Sequence, residues 1–335
     1  MQSVDRADSL LVSVKAEAEK IDLVMQEDLG LLKPDIDELL HEVLDYGLFN
    51  GGKRIRPLLV VLASRLCGRK DRDEYRLGVA FEYLHAATLF HDDIIDKSET
   101  RRGKKSVYQK FGIIAGILAG DFLHARAMAM VGKYSGQEGL DVFCKATTGM
   151  VDGEFMQLRN ATKHNLSELD YYNAIMGKTG LLISAACEVG ALYGGGSKQN
   201  VKALREYGVY LGCAYQIVDD LLDYQGDSAK TGKAVGNDLA EGKMTLPLIL
   251  TINKANHKDR ARLLEILRDR DQRALCVEEV SDFILKYGGF ESTRKRAEDT
   301  VEKASEILGV FSGEHISFER KVLEGLARYV LTREK

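Results

Sequence analysis

The chain has 335 residues, 45% of them hydrophobic and 29% charged, with a formal net charge of −4. That supplies apolar material for a sizeable core, and the acidic balance argues against nucleic acid as the main partner. Only three prolines occur, none of them inside a long periodic stretch, so a nearly all-helical fold is expected.

Helical periodicity recurs almost end to end. The first predicted helix, 3–27, carries Asp5, Arg6, Asp8, Lys15 and Glu17 and so lacks the apolar core of a signal peptide. The second, 34–46, opens on Pro34, which suits a first helical turn. After the break at Gly51-Gly52, the third, 53–67, begins with Lys53-Arg54-Ile55-Arg56-Pro57. Glycines there allow close backbone approach to an anion, and Lys53 and Arg56 stand about one turn apart. The fourth, 75–96, ends in Asp92-Asp93-Ile94-Ile95-Asp96 and is followed by Arg101-Arg102-Gly103. Helices over 106–133, 138–160 and 167–193 come next, the last with Ser167-Glu168-Leu169-Asp170 as a capping box.

The helix over 199–224 ends in a second acidic pentad, Asp219-Asp220-Leu221-Leu222-Asp223. Basic and glycine-rich pieces follow it: Thr231-Gly232-Lys233, Gly236-Asn237-Asp238 and Glu241-Gly242-Lys243-Met244-Thr245-Leu246-Pro247. The remaining predicted helices cover 243–255, 259–268, 277–287, 290–308 and 317–333, and the charged runs 70–74 and 268–271 read as solvated turns. Five cysteines are scattered without paired spacing, as free thiols in a reduced cytoplasm would be. No uninterrupted apolar run approaches the ~18 residues of a membrane span, so stable membrane insertion is not expected. Nothing resembling a linker divides the chain, which reads as one domain, 1–335.

The two pentads carry the chemistry. In each, the first and fifth residues lie one turn apart on one helix face, where like charges repel and carboxylates are costly to bury unpaired. Hard divalent cations, which prefer oxygen ligands, neutralise such a set, and Mg²⁺ bridging to a phosphate is the expected reason for having two. Diphosphates call for cationic groups as well as metal, which the adjoining basic elements supply. Taken singly, a DDxxD is usually a solvated helix end and Arg101-Arg102 is surface charge; it is their company that weakens those readings.

In combination, GGKRIRP (51–57), LFHDDIID (89–96) with RRG, GEFMQL (153–158), GKTG (177–180), and YQIVDDLLDYQGD (215–227) with TGK and EGKMTLP are similar to the trans-isoprenyl diphosphate synthases, the polyprenyl synthetases. The order and spacing resemble those of bacterial medium- and long-chain, octaprenyl-type members. The resemblance implies an all-α bundle of long antiparallel helices around a central cavity, with the pentads facing each other, usually in a homodimer. It also implies condensation of isopentenyl diphosphate with an allylic diphosphate, with Mg²⁺, three per active site. Asp92, Asp93, Asp96, Asp219 and Asp223 would be metal ligands, with Asp220 nearby. Arg101, Lys178, Thr179, Gln216, Lys233 and Lys243 would contact the allylic diphosphate, and Lys53, Arg56, His85 and Arg102 would bind isopentenyl diphosphate.

In this family the residues one turn before the first pentad line the pocket into which the product grows. Here they are Ala87 and Thr88, both small, preceded by Leu84, which leaves that level open and points to a medium-to-long product. Phe122, Met128, Met130 and Met156 could form a deeper floor. Alternatives are a shorter-chain farnesyl or geranylgeranyl synthase, a terpene cyclase, or a silent subunit of a heteromeric synthase. A di-iron bundle, hinted at by the two ExxH pairs Glu38/His41 and Glu82/His85, would leave both pentads unexplained.

Overall fold

The computed structural model describes residues 2–225, 236–313 and 317–333. Among them the regular structure is helical apart from two strands of two residues each. It divides into two compact units, each assembled from separated stretches: Met1–Cys144, Ala185–Leu204 and Phe311–Leu323 form the first, and Lys145–Ser184, Arg205–Val310 and Glu324–Lys335 the second.

The first unit is organised on α3 (Ile55–Leu66), whose residues from Pro57 to Leu66 are all buried. A helix apolar on every side is a core helix, and α1 (Gln2–Leu32) and α4 (Asp73–Ile95) both pack on it. α3 starts two residues later than the sequence indicates, because Arg54 sits in the left-handed region (φ 50°) and cannot be helical. α2 (Glu38–Leu48) likewise starts late: Pro34 lies in a 3₁₀ turn, and the cap is Asp37, whose carboxylate accepts from the Leu39 N–H at 2.9 Å.

α4 ends at the first pentad. Asp96 is its C-cap, and the Ser98 N–H returns to the Asp93 carbonyl at 2.8 Å. Strands β1 (Thr100–Arg101) and β2 (Lys104–Lys105) then form an antiparallel hairpin. Its two-residue turn, Arg102-Gly103, has positive φ at both positions (53° and 78°), the turn whose twist matches flanking strands. α5 (Val107–Phe111) is short, and α6 (Ile113–Lys163) is one long helical run interrupted at Gly136 (φ 68°, ψ −164°), where two helices are expected from the sequence.

In the second unit α7 (Glu168–Ile175) is capped as expected, Ser167 Oγ accepting from the Asp170 N–H. The expected helix 167–193 is not uniform: Met176–Gly180 forms a π-helical turn before α8 (Leu181–Tyr193), whose residues from Ala185 onward belong to the first unit, as do the first residues of the helices that start at Lys198 and Ser317. α9 (Lys198–Gln225) ends at the second pentad. The four-residue α10 (Asn237–Ala240) precedes α11 (Leu246–Lys254) and α12 (His257–Arg268). Asp269 does not leave a solvated turn; it caps α13 (Arg270–Leu275) by accepting from Asp271 and Gln272. α14 (Val277–Lys286), α15 (Gly289–Ile307) and α16 (Ser317–Leu331) follow.

Two helical stretches, Ile113–Lys163 and Glu168–Tyr193, are long and apolar enough by composition to cross a membrane, although no run is free of polar residues. The second is two-thirds buried in its most apolar window and behaves as core; the first is only one-third buried. Cys187 and Cys213 are buried free thiols.

Candidate active site

In the first unit, Asp93 is buried at 3% exposure while Asp92 is half-buried and Asp96 exposed. The hairpin swings Arg101 back so that its Nε donates to Asp93 Oδ1 at 2.9 Å, with Nη2 also in contact. The second residue of the pentad is thus held by the protein. The first and fifth stand at the helix C-terminus, where the helix dipole disfavours negative charge and a cation would be most welcome.

Beside it lies a small pocket lined by Arg54, Glu82, His85, Arg101, Arg102 and Lys105. Burial, then the guanidiniums of Arg56, Arg102, Arg101 and Arg54, hold the His85 imidazole well below its ordinary pKa, so it is neutral and available as a hydrogen-bonding group. Glu82, the acidic half of one ExxH pair, is bonded to Arg54 Nη1 at 2.7 Å. Lys53 is exposed and Arg56 half-buried at the entry to α3.

Glycines place the second unit's groups. A Cβ on Gly177 would lie 2.8 Å from the Gly153 Cα, and one on Gly212 would lie 2.6 Å from the Gly180 Cα. The π-helical turn is therefore in backbone contact with α6 on one side and α9 on the other, which only glycine permits. π-turns are frequent at functional sites, and this one presents two expected residues. Lys178 Nζ reaches Glu154 at 2.7 Å and Gln157 at 3.2 Å, and Thr179 Oγ1 donates to Gln216 Oε1 at 3.2 Å.

In the second pentad Asp220 is the buried member, at 3% exposure. It accepts from the Tyr171 hydroxyl at 2.7 Å, Gln216 Nε2 at 3.0 Å and the Leu246 N–H at 3.2 Å. These donors are neutral, so burial, followed by the charge on Asp238, pushes its pKa up to about 7. Asp223 accepts from the Asp238 N–H at 3.1 Å and is pushed up to about 7 by the same two causes. Asp219 is exposed, with Arg333 Nη1 at 3.0 Å. Lys243 bridges Asp238 at 3.0 Å and Glu241 at 2.6 Å. Lys233 lies outside the described residues, as do Thr231 and Gly232.

Of the expected chain-length residues, Leu84 and Ala87 are buried at 1% and 2% exposure. Thr88 is half-buried, its hydroxyl donating to the His85 carbonyl at 2.8 Å. Sequence reasoning missed Tyr171, Asp238, Arg54, Glu82 and Arg333. Asp238 stood in a stretch already singled out. Arg333, near the C-terminus, gave no signal at all.

The donor set fits Mg²⁺. Among the described residues no three carboxylate, histidine or cysteine side chains converge as a ready-made cage. Mg²⁺ is ordinarily held by one or two carboxylates completed by substrate phosphates and water, and carboxylates one turn apart at two helix ends are donors of that kind.

The family model for polyprenyl synthetases matches residues 37–284. The octaprenyl diphosphate synthase of Escherichia coli (strain K12) is 35% identical over 298 residues, covering 89% of this chain and 91% of that protein. The short chain isoprenyl diphosphate synthase of Methanothermobacter thermautotrophicus is 36% identical over 321 residues, 95% of this chain and 96% of that one. Among solved structures, a decaprenyl diphosphate synthase from Rhodobacter capsulatus superposes with a TM-score of 0.86 at 33% identity, covering 98% of this chain and 99% of its own. A geranylgeranyl pyrophosphate synthetase from Pyrococcus horikoshii gives 0.87, also at 33% identity and with the same coverage.

Proposed function

Because the chain belongs to the polyprenyl synthetase family of trans-prenyltransferases, which make isoprenyl diphosphates, we propose a specific reaction for it. It joins isopentenyl diphosphate head-to-tail to an allylic diphosphate, with Mg²⁺, and extends the product to a medium or long chain of about C25–C45. One observation supports this most: both pentads bury their second aspartate on protein donors and leave the first and fifth near the surface of a helix end, one of them beside a pocket of cations.

In this reading Asp92, Asp96, Asp219 and Asp223 hold Mg²⁺, three per active site. Asp93 and Asp220 orient the pentads, and Asp93 would be a further ligand. Mg²⁺ held by these carboxylates would supply positive charge to the diphosphate leaving group. Arg101, Lys178, Thr179, Gln216, Lys233 and Lys243 orient that diphosphate and share its developing charge. Lys53, Arg56, His85 and Arg102 hold isopentenyl diphosphate, whose alkene attacks the allylic carbon; the proton then lost goes to the released diphosphate, so no protein base is required. Apolar walls exclude water from the cation.

Small side chains at Ala87 and Thr88, with Leu84 before them, support the longer product. The enzyme works as a cytoplasmic homodimer in one functional domain, 1–335. A second copy would cover the apolar start of α6, where Ile114 and Leu118 are 74% and 59% exposed.

The test is turnover of radiolabelled isopentenyl diphosphate with allylic primers of increasing length, with Mg²⁺ or with chelator, the product being dephosphorylated and sized by chromatography. Metal-independent turnover would remove the metal assignment, and a wild-type product of C15 would remove the length assignment. Ala87→Phe should shorten the product while preserving turnover, because an overpacked ring costs only about 1–3 kcal/mol. An unchanged length would show that growth does not pass this residue.

A further inference from the structure

The GGKRIRP segment holds three basic residues, and the middle one is unlike its neighbours. Arg54 is 4% exposed, whereas Lys53 is exposed and Arg56 half-buried. Each of its three guanidinium nitrogens already donates to the protein: Nε to Asp22 Oδ1 at 2.7 Å, Nη1 to Glu82 Oε1 at 2.7 Å and Nη2 to the Leu48 carbonyl at 2.9 Å. One side chain therefore ties together α1, the end of α2 and α4. Its backbone is left-handed (φ 50°, ψ 35°), a conformation that a non-glycine residue keeps only when its surroundings over-determine it. Its carbonyl accepts the first helical bond of α3, from the Leu58 N–H at 3.1 Å.

Glu82 does more than neutralise Arg54. Its charge also acts on Arg102. The backbone of Gly52 is wedged against both guanidiniums, since a Cβ there would lie 3.0 Å from Arg102 Nη1 and 3.1 Å from Arg54 Nη1. Arg54, Glu82, Arg102 and His85 all line the same pocket.

We infer that the buried Arg54–Glu82 pair, braced by Asp22, is a positioning device beside that pocket: it fixes the left-handed turn and so sets where Lys53 and Arg56, on either side of it and outside the pocket lining, stand to receive a diphosphate together with Arg102 and His85. Arg54 acts through its neighbours and leaves the ligand contacts to them. The inference rests on the assignment of isopentenyl diphosphate to this pocket.

A purely structural role for the pair predicts loss of stability alone. A positioning role predicts a selective loss of affinity even when stability is restored. The two are separated by the double variant Arg54→Met/Glu82→Leu, because exchanging a buried ion pair for apolar groups of similar volume is often neutral or stabilising. In the full-length protein it should stay folded, losing only what the released Leu48 carbonyl and Asp22 carboxylate cost. Its KM for isopentenyl diphosphate should rise about tenfold or more, with the allylic KM changed less than about twofold. Arg54→Lys, which keeps the charge but cannot serve three acceptors at once, should lie between the two.

Arg102→Ala serves as reference. A wild-type KM for isopentenyl diphosphate in the double variant, together with a raised one in Arg102→Ala, overturns the positioning role and leaves the pocket assignment standing. If Arg102→Ala is also unchanged, the pocket assignment itself fails. Should the double variant not fold, Asp22→Asn gives the same reading from the more exposed end of the network. A selective rise of about threefold supports the inference, and an unchanged KM overturns it.

Discussion

The two acidic pentads have the same sequence form and are anchored by different chemistry. In both, the second aspartate is buried and the first and fifth lie at a helix end. Asp93 is met by a guanidinium, so its charge is balanced within the protein. Asp220 is met by a hydroxyl, an amide and a backbone N–H, which satisfy its oxygens without cancelling its charge. The surroundings differ in the same sense: the first pentad adjoins Arg54, His85, Arg101, Arg102 and Lys105, while Asp220 and Asp223 share their site with Asp238. One motif thus serves a site whose buried aspartate is balanced by a guanidinium and one whose buried aspartate is met by neutral donors, the Lys243 ammonium beside it being already shared by Asp238 and Glu241. The second should be the more sensitive to protons and to metal.

The largest expected effect tests what the pentads share. Asp92→Ala and Asp219→Ala should each lower turnover about a hundred- to a thousandfold, the scale of losing one electrostatic contact to a developing charge. The helical circular dichroism signal should be unchanged. If one variant turned over near normally while the other did not, the pentads would not be equivalent partners in ionisation. If both did, the metal assignment would fall.

Stability tests what they do not share. Asp93→Asn leaves Arg101, whose side chain is only 30% exposed, without its counter-charge, and should cost about 1–3 kcal/mol. Asp220→Asn replaces a carboxyl that is half-protonated near neutrality and should cost less. The pH profile sharpens the contrast. Asp220 and Asp223 rise from the ordinary value near 4 to about 7 on folding. Between those values the folded protein therefore binds more protons than the unfolded one, and stability falls as pH rises. In chelator the melting temperature should decline from pH 5 to about 7 and then level off. Asp220→Asn should make that decline about half as steep, leaving the part due to Asp223, and Asp93→Asn should keep it whole. A flat wild-type profile would remove the distinction between the units.

The difference in anchoring was not legible in the sequence, although the motifs were. The pentads, GGKRIRP and GKTG identified their own chemistry because each packs unusual residue types into a few positions. Local reading failed where a distant residue decides local structure. α3 starts after Arg54 because Asp22 and Glu82 hold that residue left-handed. The helix over 167–193 contains a π-turn because Gly153 and Gly212 press on it from other helices. Asp220 owes its proton affinity to burial and to the charge on Asp238, which is far from it in sequence, and the Tyr171 hydroxyl that meets it works in the opposite sense. The hairpin at 100–105 was closer to hand, since Arg102-Gly103 is a turn dipeptide in which only the glycine announces itself.

Arg333 carries the smallest effect and the finest test of the comparison. It extends just beyond α16, places its guanidinium 4.7 Å from the centre of the Tyr215 ring, and reaches Asp219 at 3.0 Å. In the second unit, then, a cation on the pentad's first aspartate comes, among the described residues, from an arginine that metal would have to displace. Asp219 is 47% exposed, and such pairs are worth about 0–1 kcal/mol, so Arg333→Gln should tighten Mn²⁺ binding by up to about fivefold. Equilibrium dialysis of the metal with the substrate-free protein reads this without turnover. The same substitution in an Asp219→Ala background should have no effect, since the competition acts through that carboxylate. Weaker metal binding in Arg333→Gln would show that the arginine orients Asp219 for the metal. Both pentads would then be organised by an arginine, at the second residue in one unit and at the first in the other.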